Sequence, residues 1–229
     1  MASFLPNGRV DRVPGGTLVS TDAPTEDLRG PLTLDRDAGD DTLAAASALT
    51  TAQGRLLAVD AVLGIADELR QTFAARGWRQ VTDRRLMASH VDGLVDAPHQ
   101  AVIAGPEHVE TMRSLQIEAF RLDPAAADVL VSAASVAASP HAVVFDGETA
   151  IAMATAHPTP SGIGVFGVAT RRARRREGLA TAAVVTAVRA ATDLTPARTA
   201  WLQANDDVTG AYVPMGFAAI SRSEVWLDV

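Results

Sequence analysis

Hydrophobic and polar positions in the C-terminal half of the chain follow the two periods that distinguish helices from strands. Residues 108–120 (HVETMRSLQIEAF) predict a helix, because their apolar side chains recur at helical spacing. Residues 141–157 (HAVVFDGETAIAMATAH) predict two strands around an Asp146-Gly147 turn, since Asp-Gly between apolar runs favours a hairpin. The elements expected after this hairpin are a strand at 162–170, a helix at 177–193, a strand at 197–206, a short helix ending at Gly216 and a strand at 217–229. This order predicts a mixed α/β fold whose sheet starts antiparallel and continues through helical crossovers.

The first 100 residues carry a second set of α/β elements. The elements expected there are a strand within residues 13–22, helices at 42–49 and 66–77, and strands at 56–62 and 78–89. Gly77 is placed to end the second helix, because glycine tolerates the left-handed conformation found at helix C-termini. Residues 92–106 are typical of a connection, so we expect an N-terminal α/β region at 1–100 and a second domain at 101–229.

The two halves share a short motif. Residues 73–78 (FAARGW) and 212–217 (YVPMGF) each combine an aromatic residue, three intervening positions and a Gly-aromatic pair. Each copy lies between two strand-like runs, as a structural repeat requires, although a motif this short also arises by chance. Phe73 stands where Tyr212 stands in the second copy, so a degenerate N-terminal copy would lack the phenol hydroxyl.

Composition excludes several kinds of site. The chain contains no cysteine, which excludes disulfides and cysteine nucleophiles and fits a reducing cytoplasm. All 20 basic residues are arginine, so no lysine is present to form a Schiff base. The five histidines lack the spacing of helical metal ligands, and we expect no metal. The net charge of −7 argues against general binding of nucleic acid, and no apolar run approaches the ~20 residues that span a membrane.

The densest positive charge lies at the start of the helix predicted at 177–193. Residues 171–180 (RRARRREGLA) contain five arginines within six positions. A helix N-terminus already carries partial positive charge, so arginines there are mildly destabilising unless an anion binds. Backbone N–H groups and arginine side chains at such a helix start form a phosphate site, and Gly178 and Ala180 are small enough for close approach. Two alternatives stay open, namely a solvated surface run without a ligand and contact with nucleic acid.

The segment Arg175-Arg-Glu-Gly178-Leu-Ala180 resembles the acetyl-CoA loop of the GNAT superfamily of N-acetyltransferases, whose pattern is Arg/Gln-x-x-Gly-x-Gly/Ala. The surrounding sequence agrees, because a strand precedes the loop, a long helix follows it, and residues 212–217 match the family's Tyr-x-x-x-Gly-Phe. The resemblance covers about residues 104–229. It departs from the commonest pattern in a slightly longer connection before Gly178 and in Ala180 at the last glycine position.

This resemblance implies a GNAT fold, with a central twisted mixed β-sheet flanked by helices, to which the chain adds an N-terminal α/β extension. It implies direct transfer of an acetyl group from acetyl-CoA to an amine, without a covalent enzyme intermediate. It also implies that Tyr212 protonates the leaving thiolate and that the Val168 N–H donates to the thioester carbonyl. The residues that it assigns to cofactor binding are Val168, Ala169, Thr170, Arg175, Arg176, Glu177, Gly178, Leu179, Ala180, Thr181 and Asn205.

The sequence does not single out an acceptor or a general base. The candidate bases are Glu118, His141, Asp146 and His157, and a water chain is the alternative to all four. The segment 121–140 is mostly Ala, Val, Leu and Ser and is expected to be a loop, which does not suggest an acidic cleft for a polycation. The alternative function is a non-catalytic acyl-CoA-binding or regulatory module. Many GNAT proteins pair through their C-terminal strands, so the resemblance is also compatible with a homodimer.

Overall fold

The computed structural model describes residues 9–20, 31–52, 58–62 and 65–228 of the chain. Its strands are β1 (Arg9–Val13), β2 (Gly16–Ser20), β3 (Pro31–Leu34), β4 (Ala58–Val62), β5 (Arg79–His90), β6 (Val102–Ile103), β7 (His141–Asp146), β8 (Thr149–Thr159), β9 (Gly162–Thr170), β10 (Thr199–Ala204) and β11 (Ala218–Leu227). Its α-helices are α1 (Asp40–Ala52), α2 (Ile65–Ala75), α3 (Val109–Phe120), α4 (Pro124–Leu130), α5 (Ala133–Ala138) and α6 (Leu179–Ala191). None of the helices in these ranges is long and apolar enough to cross a membrane.

The chain divides into two compact units that do not follow its linear order. The first unit contains the described residues up to Leu86, together with Gln203–Asp206 and the strand residues from Ile220 onward. The second unit contains Met87–Leu202 and Asp207–Ala219. The domain boundary expected at residue 100 stays a prediction.

The first unit has neighbouring strands in the order β1-β2-β3-β4-β11-β5. Strands β3 and β4 are parallel and α1 connects them, whereas β11 runs antiparallel to β4. In the core, the Phe73 ring stacks on Trp78 at 5.4 Å between centroids and packs against Trp226 at 5.0 Å. Gly77 follows α2 with a φ of +74°, so the prediction that glycine ends this helix is confirmed.

The second unit has the strand order β5-β10-β9-β8-β7-β6, in which β5 is represented by its last residues. Strands β7, β8 and β9 are antiparallel, while β9 and β10 are parallel and connected by α6. Helix α3 shares a buried cluster with Val143 and Met153, and α6 shares one with Val144 and Ala152. Because neighbouring residues of a strand point to opposite faces, α3 and α6 cover opposite faces of this sheet. The predicted fold class, a mixed sheet flanked by helices, is confirmed.

Two segments differ from the prediction. The short helix expected before Gly216 is instead a pair of 3-10 turns, Thr209–Ala211 and Val213–Met215, because glycine and proline within the segment disfavour a continuous helix. The segment 121–140, expected to be a loop, contains α4 and α5. Side chains that accept hydrogen bonds from backbone N–H groups start both helices, Asp123 at 2.8 Å and Ser132 at 3.1 Å. Residues 21–22, 56–57 and 229 of the predicted strands lie outside the described residues.

Each unit contains a parallel strand pair that is joined by a helix and followed by the shared aromatic-Gly-aromatic motif. The arrangement is β3-α1-β4 before Gly77 and β9-α6-β10 before Gly216. Both glycines have a positive φ, +74° and +104° respectively. This parallel supports a repeat, and the degenerate N-terminal copy stays a prediction.

Candidate functional site

Strand β9 has an open backbone edge toward its carboxyl end. It pairs with β8 along its length, but it pairs with β10 only at Ile163 and Gly164. Within the described part of the chain, residues 165–170 therefore have no register partner on β10. The expected cofactor residues Val168, Ala169 and Thr170 all lie on this edge. An extended ligand can pair with such an edge as an added strand does.

A bulge interrupts β9 within the open edge. The register of β8 against β9 shifts between Met153 and Thr155, so Gly167 and Val168 together face the single residue Ala154. Gly167 has a φ of +58°, which is the left-handed region. This bulge was not predicted from the sequence, although an isolated glycine inside a strand pattern is a signal for one.

Two aromatic side chains lie where β9 and β10 separate. Phe166 and Trp201 meet edge to face with their ring centroids 5.6 Å apart. The Trp201 ring covers Gly162 and Gly164, because a Cβ at either position would lie 3.0 Å from it. Both aromatic side chains are half-buried. This packing was not predicted from the sequence, although the alternating glycines at 162 and 164 are a signal for it.

The arginine-rich loop leads from the open edge to the start of α6. Arg176 has a φ of +69° and Gly178 a φ of +78°, and such left-handed residues turn successive N–H groups toward one side. Among the residues that the structure describes, no side chain caps α6, whose early hydrogen bonds include Ala182 N–H to the Gly178 carbonyl. The N–H groups of Leu179, Ala180 and Thr181 belong to the first turn, which has no intrahelical acceptors. This geometry suits an anion, and the phosphate site expected at the backbone amides of residues 175–180 stays a prediction.

Gly178 has structural reasons to be glycine besides the expected approach of a phosphate. Its positive φ strains any other residue, and a Cβ would lie 3.0 Å from Cγ of Pro98. The neighbouring His99 donates from Nε2 to the Glu177 carbonyl at 2.6 Å. Residues 98–99 thus support the loop from outside, and no local sequence pattern predicts this contact.

Two arginines of the loop form ion pairs with carboxylates. Arg171 forms an ion pair with Glu118, and Arg174 pairs with Asp146 at 2.6 Å and with Glu177 at 3.0 Å. Hydrogen bonds to Glu177 and then Asp146 raise the pKa of Arg174. Two candidate bases, Glu118 and Asp146, are therefore charge partners that fix the loop to α3 and to the end of β7.

The other three arginines of the loop are available to a ligand. Arg172, Arg175 and Arg176 are exposed, and none forms an ion pair within the described ranges. The Arg175 Nε lies 3.4 Å from the Thr170 carbonyl oxygen, which places this residue at the end of the open edge. The loop thus combines two neutralised arginines with three that can meet an external anion.

The two histidines among the candidate bases lie around Ser139. His141 is buried and donates from Nδ1 to the Ser139 carbonyl at 2.8 Å, and His157 Nδ1 lies 2.7 Å from the Ser139 hydroxyl. Burial lowers the pKa of both imidazoles. Both rings are therefore neutral near pH 7, the state that a base requires.

Tyr212 follows the carboxyl end of β10, as the arginine loop follows that of β9. Because the two strands are parallel neighbours, both segments leave the sheet at the same edge. The half-buried Tyr212 ring packs edge to face on Phe217 at 6.2 Å. Burial raises the pKa of the phenol, and its hydroxyl has no hydrogen-bond partner in the part of the chain that the structure describes. Gly216 shapes this turn, since a Cβ there would overlap the Gly93 carbonyl oxygen.

The second unit brings most of the expected site residues to one edge of its sheet, namely residues 168–170, 175–181 and Tyr212. Asn205 is exposed after β10 and belongs to the first unit. Its expected contact with the cofactor arm stays a prediction, as do the roles of the other site residues. Among the described residues, no cluster of His, Asp and Glu could hold a metal ion.

Comparison with known proteins identifies the domain that carries this site. Residues 109–217 match the acetyltransferase (GNAT) family, whereas no curated protein matches the chain. A GCN5-related N-acetyltransferase from Kribbella flavida is similar over 96% of this chain and 89% of its own, with 18% identity and a TM-score of 0.75. A functionally unknown conserved protein from Staphylococcus epidermidis is similar over 96% and 94%, with 12% identity and a TM-score of 0.69.

A third similar structure is a tandem GNAT protein from the clavulanic acid biosynthesis pathway. The similarity covers 97% of this chain and 83% of that protein, with 15% identity and a TM-score of 0.63. At these identities the three structures establish a shared fold, and the family match supplies the assignment. The C-terminal half of the chain, over residues 109–217, is a domain of the GNAT acetyltransferase family.

Proposed function

We propose that the protein is an acetyl-CoA-dependent N-acetyltransferase that moves an acetyl group directly to the amine of an acceptor. Family and fold support acyltransferase activity in general, and the proposal adds the acyl donor and the amine. One observation carries it: the open edge of β9 at residues 165–170 continues through the arginine loop to the start of α6, which no side chain of the described residues caps. A pantetheine arm that ends in a pyrophosphate presents its amides and phosphates in the same order.

In this proposal the loop binds the phosphates and the strand binds the arm. The N–H groups at the start of α6 meet the pyrophosphate oxygens, and Arg175 and Arg176 add positive charge. The small side chain of Ala180 leaves room for the phosphate to approach the backbone at the start of the helix. Residues 168–170 pair with the amides of the pantetheine arm, which sets the thioester beside the bulge.

The chemistry is divided between a backbone donor and a phenol. The neutral amine attacks the thioester carbon, a C–N bond forms, and the Val168 N–H stabilises the negative charge that develops on the carbonyl oxygen. The C–S bond then breaks, and the Tyr212 hydroxyl gives its proton to the thiolate. The attacking nitrogen releases its surplus proton to a base or to water, and the phenol recovers a proton from solvent. The phenol is protonated at neutral pH, because its free pKa is about 10 and burial raises the pKa further.

Calorimetric titration with acetyl-CoA tests the donor site, with coenzyme A and ADP as comparisons. We expect saturable binding of acetyl-CoA, followed by thiol release from acetyl-CoA in the presence of a panel of amines. Binding without turnover on any amine would favour the acyl-CoA-binding module instead. No binding at millimolar acetyl-CoA would contradict both functions.

Neutralising the two arginines nearest to α6 tests the phosphate site. We expect Arg175→Gln/Arg176→Gln to weaken acetyl-CoA binding about tenfold per arginine, since a charge-assisted hydrogen bond contributes about 1.4 kcal/mol at an exposed site. Arg36→Gln/Arg79→Gln removes the same charge from exposed positions outside the loop and is the matched control. Equal weakening of acetyl-CoA binding in the two double variants would mean that net charge alone explains the effect. The loop would then not be the phosphate site.

A further inference from the structure

A buried glutamine on α3 contacts the bulge of β9, and none of the roles above uses it. Gln116 is 2% exposed, and its Nε2 donates to the Gly167 carbonyl oxygen at 2.8 Å. The same nitrogen lies 3.4 Å from the Met153 sulfur on β8. Because a buried amide is costly without partners, these two contacts fix the side chain in one orientation. The oxygen of Gly167 can only accept, so the amide nitrogen must face it.

Gly167 is fitted to this contact in two ways. Its φ of +58° turns the peptide out of the regular strand, and only glycine adopts this angle without strain. A Cβ at residue 167 would lie 2.8 Å from the Gln116 Nε2, so a side chain there would displace the glutamine. The backbone angle and the free space therefore both serve the same hydrogen bond.

The hydrogen bond also sets the direction of the next N–H group. All described peptide bonds are trans, so the Gly167 carbonyl and the Val168 N–H point in opposite directions within one peptide plane. Gln116 holds the carbonyl toward α3, and the Val168 N–H consequently points away from α3.

We propose that Gln116 is a positioning residue that fixes the Gly167–Val168 peptide plane, so that the Val168 N–H is aimed at the thioester carbonyl oxygen. This inference rests on the proposed function, in which that N–H stabilises the oxyanion. Glycine leaves the peptide free to rotate once the glutamine no longer holds it. A hydrogen bond weakens steeply as its angle falls, and an oxyanion donor is effective because its direction is set in advance.

Gln116→Met tests the inference, because methionine keeps the length and bulk of glutamine but cannot donate. We expect kcat to fall about tenfold to a hundredfold, while KM for acetyl-CoA changes less than threefold. This is less than the roughly hundredfold to thousandfold loss on removing an oxyanion donor, because the Val168 N–H is misdirected but still present. Val143→Ala is the control. It weakens the buried cluster shared with α3 but leaves the bulge contact intact, and we expect its kcat to stay at the wild-type value.

Carbon-13 NMR of acetyl-CoA labelled at the thioester carbonyl gives a readout that a purely structural role would not move. A hydrogen bond from the Val168 N–H polarises the carbonyl, so the carbonyl signal of acetyl-CoA bound to wild-type protein should lie downfield of the signal of free acetyl-CoA. In Gln116→Met the bound signal should return toward the position of free acetyl-CoA. Gly167→Ala is the second variant, since its Cβ displaces the glutamine without removing it. We expect the double variant to lose no more activity than either single variant, because both break the same hydrogen bond.

The outcomes separate this inference from the proposed function. If wild-type protein binds and transfers acetyl groups but Gln116→Met and Gly167→Ala keep both kcat and the bound carbonyl shift, the positioning role is refuted and the proposed function stands. If wild-type protein binds no acetyl-CoA, both are refuted together. Loss of kcat in Val143→Ala equal to that in Gln116→Met would also overturn the inference, because core stability would then explain both losses.

Discussion

Replacing Gly216 by alanine should destabilise the second unit far more than the equivalent change at Gly77 destabilises the first. The two glycines occupy the same place in the shared motif, and both have a left-handed φ, +104° and +74°. Their surroundings differ. A Cβ at Gly216 would overlap the Gly93 carbonyl oxygen, whereas a Cβ at Gly77 would meet nothing within 4 Å.

The magnitude follows from two separate costs. A left-handed backbone costs an L-residue about 1–2 kcal/mol, and a φ beyond the usual left-handed well raises this to about 2–3 kcal/mol at Gly216. The overlap forces the segment at Gly93 to move, and overpacking a filled site costs about 1–3 kcal/mol more. That segment also donates from Val95 to the Met215 carbonyl at 3.3 Å, so it cannot shift freely. We expect Gly216→Ala to cost about 3–6 kcal/mol and Gly77→Ala about 1–2 kcal/mol.

Native-state hydrogen exchange read by mass spectrometry measures the two effects separately, because peptides from α6 report on the second unit and peptides from β4 and α2 on the first. The free energy of opening in α6 should fall in Gly216→Ala, with little change in peptides of the first unit. Equal losses in the two variants, each near the cost of the backbone angle alone, would refute the reasoning. In that case the Gly93 carbonyl would be able to move without cost.

Two further predictions concern side chains whose pKa values are shifted. Tyr212→Phe should lower kcat about a hundredfold while the calorimetric affinity for acetyl-CoA stays within about threefold, since the phenol is assigned to the leaving thiolate; unchanged kcat would remove Tyr212 from the mechanism. Burial lowers the pKa of His141 and His157, so the unfolded chain binds protons that the folded chain does not as the pH falls below about 6.5. Urea unfolding should therefore show stability falling from pH 7 to pH 5, with a shallower decline in His141→Gln. If the free energy of unfolding depended on pH identically in wild type and His141→Gln, His141 would not be a source of the pH dependence.

The sequence predicted the order of the elements in the second unit well because its signals were local. The Asp146-Gly147 turn, the apolar runs on either side of it and the apolar helix after Gly178 each depend on a few neighbouring residues, and all are present in the structure. The short 3-10 turns before Gly216 and the helices α4 and α5 were not predicted. Before Gly216, proline and glycine prevent the continuous helix that the apolar pattern indicates. In residues 121–140, capping by Asp123 and Ser132 starts helices that the composition does not indicate.

The parts of the site that escaped prediction depend on contacts distant in sequence. Pairing between Gln116 and Gly167 spans 51 residues, and pairing between His99 and Glu177 spans 78. A glutamine on an amphipathic helix looks the same in sequence whether it faces solvent or a strand bulge. Likewise, the division of the arginines into paired and available groups depends on where Glu118 and Asp146 lie, which no local pattern reveals.

The position of β11 in the first unit has a consequence for how the chain is made. This strand lies between β4 and β5, yet it is synthesised after the whole second unit. At ~5–20 residues per second, β4 and β5 leave the ribosome on the order of ten seconds before the strand that separates them. During that interval their facing edges have backbone groups without their final partner, and unpaired strand edges invite association with other chains. The first unit is therefore the first to be made and the last to be completed.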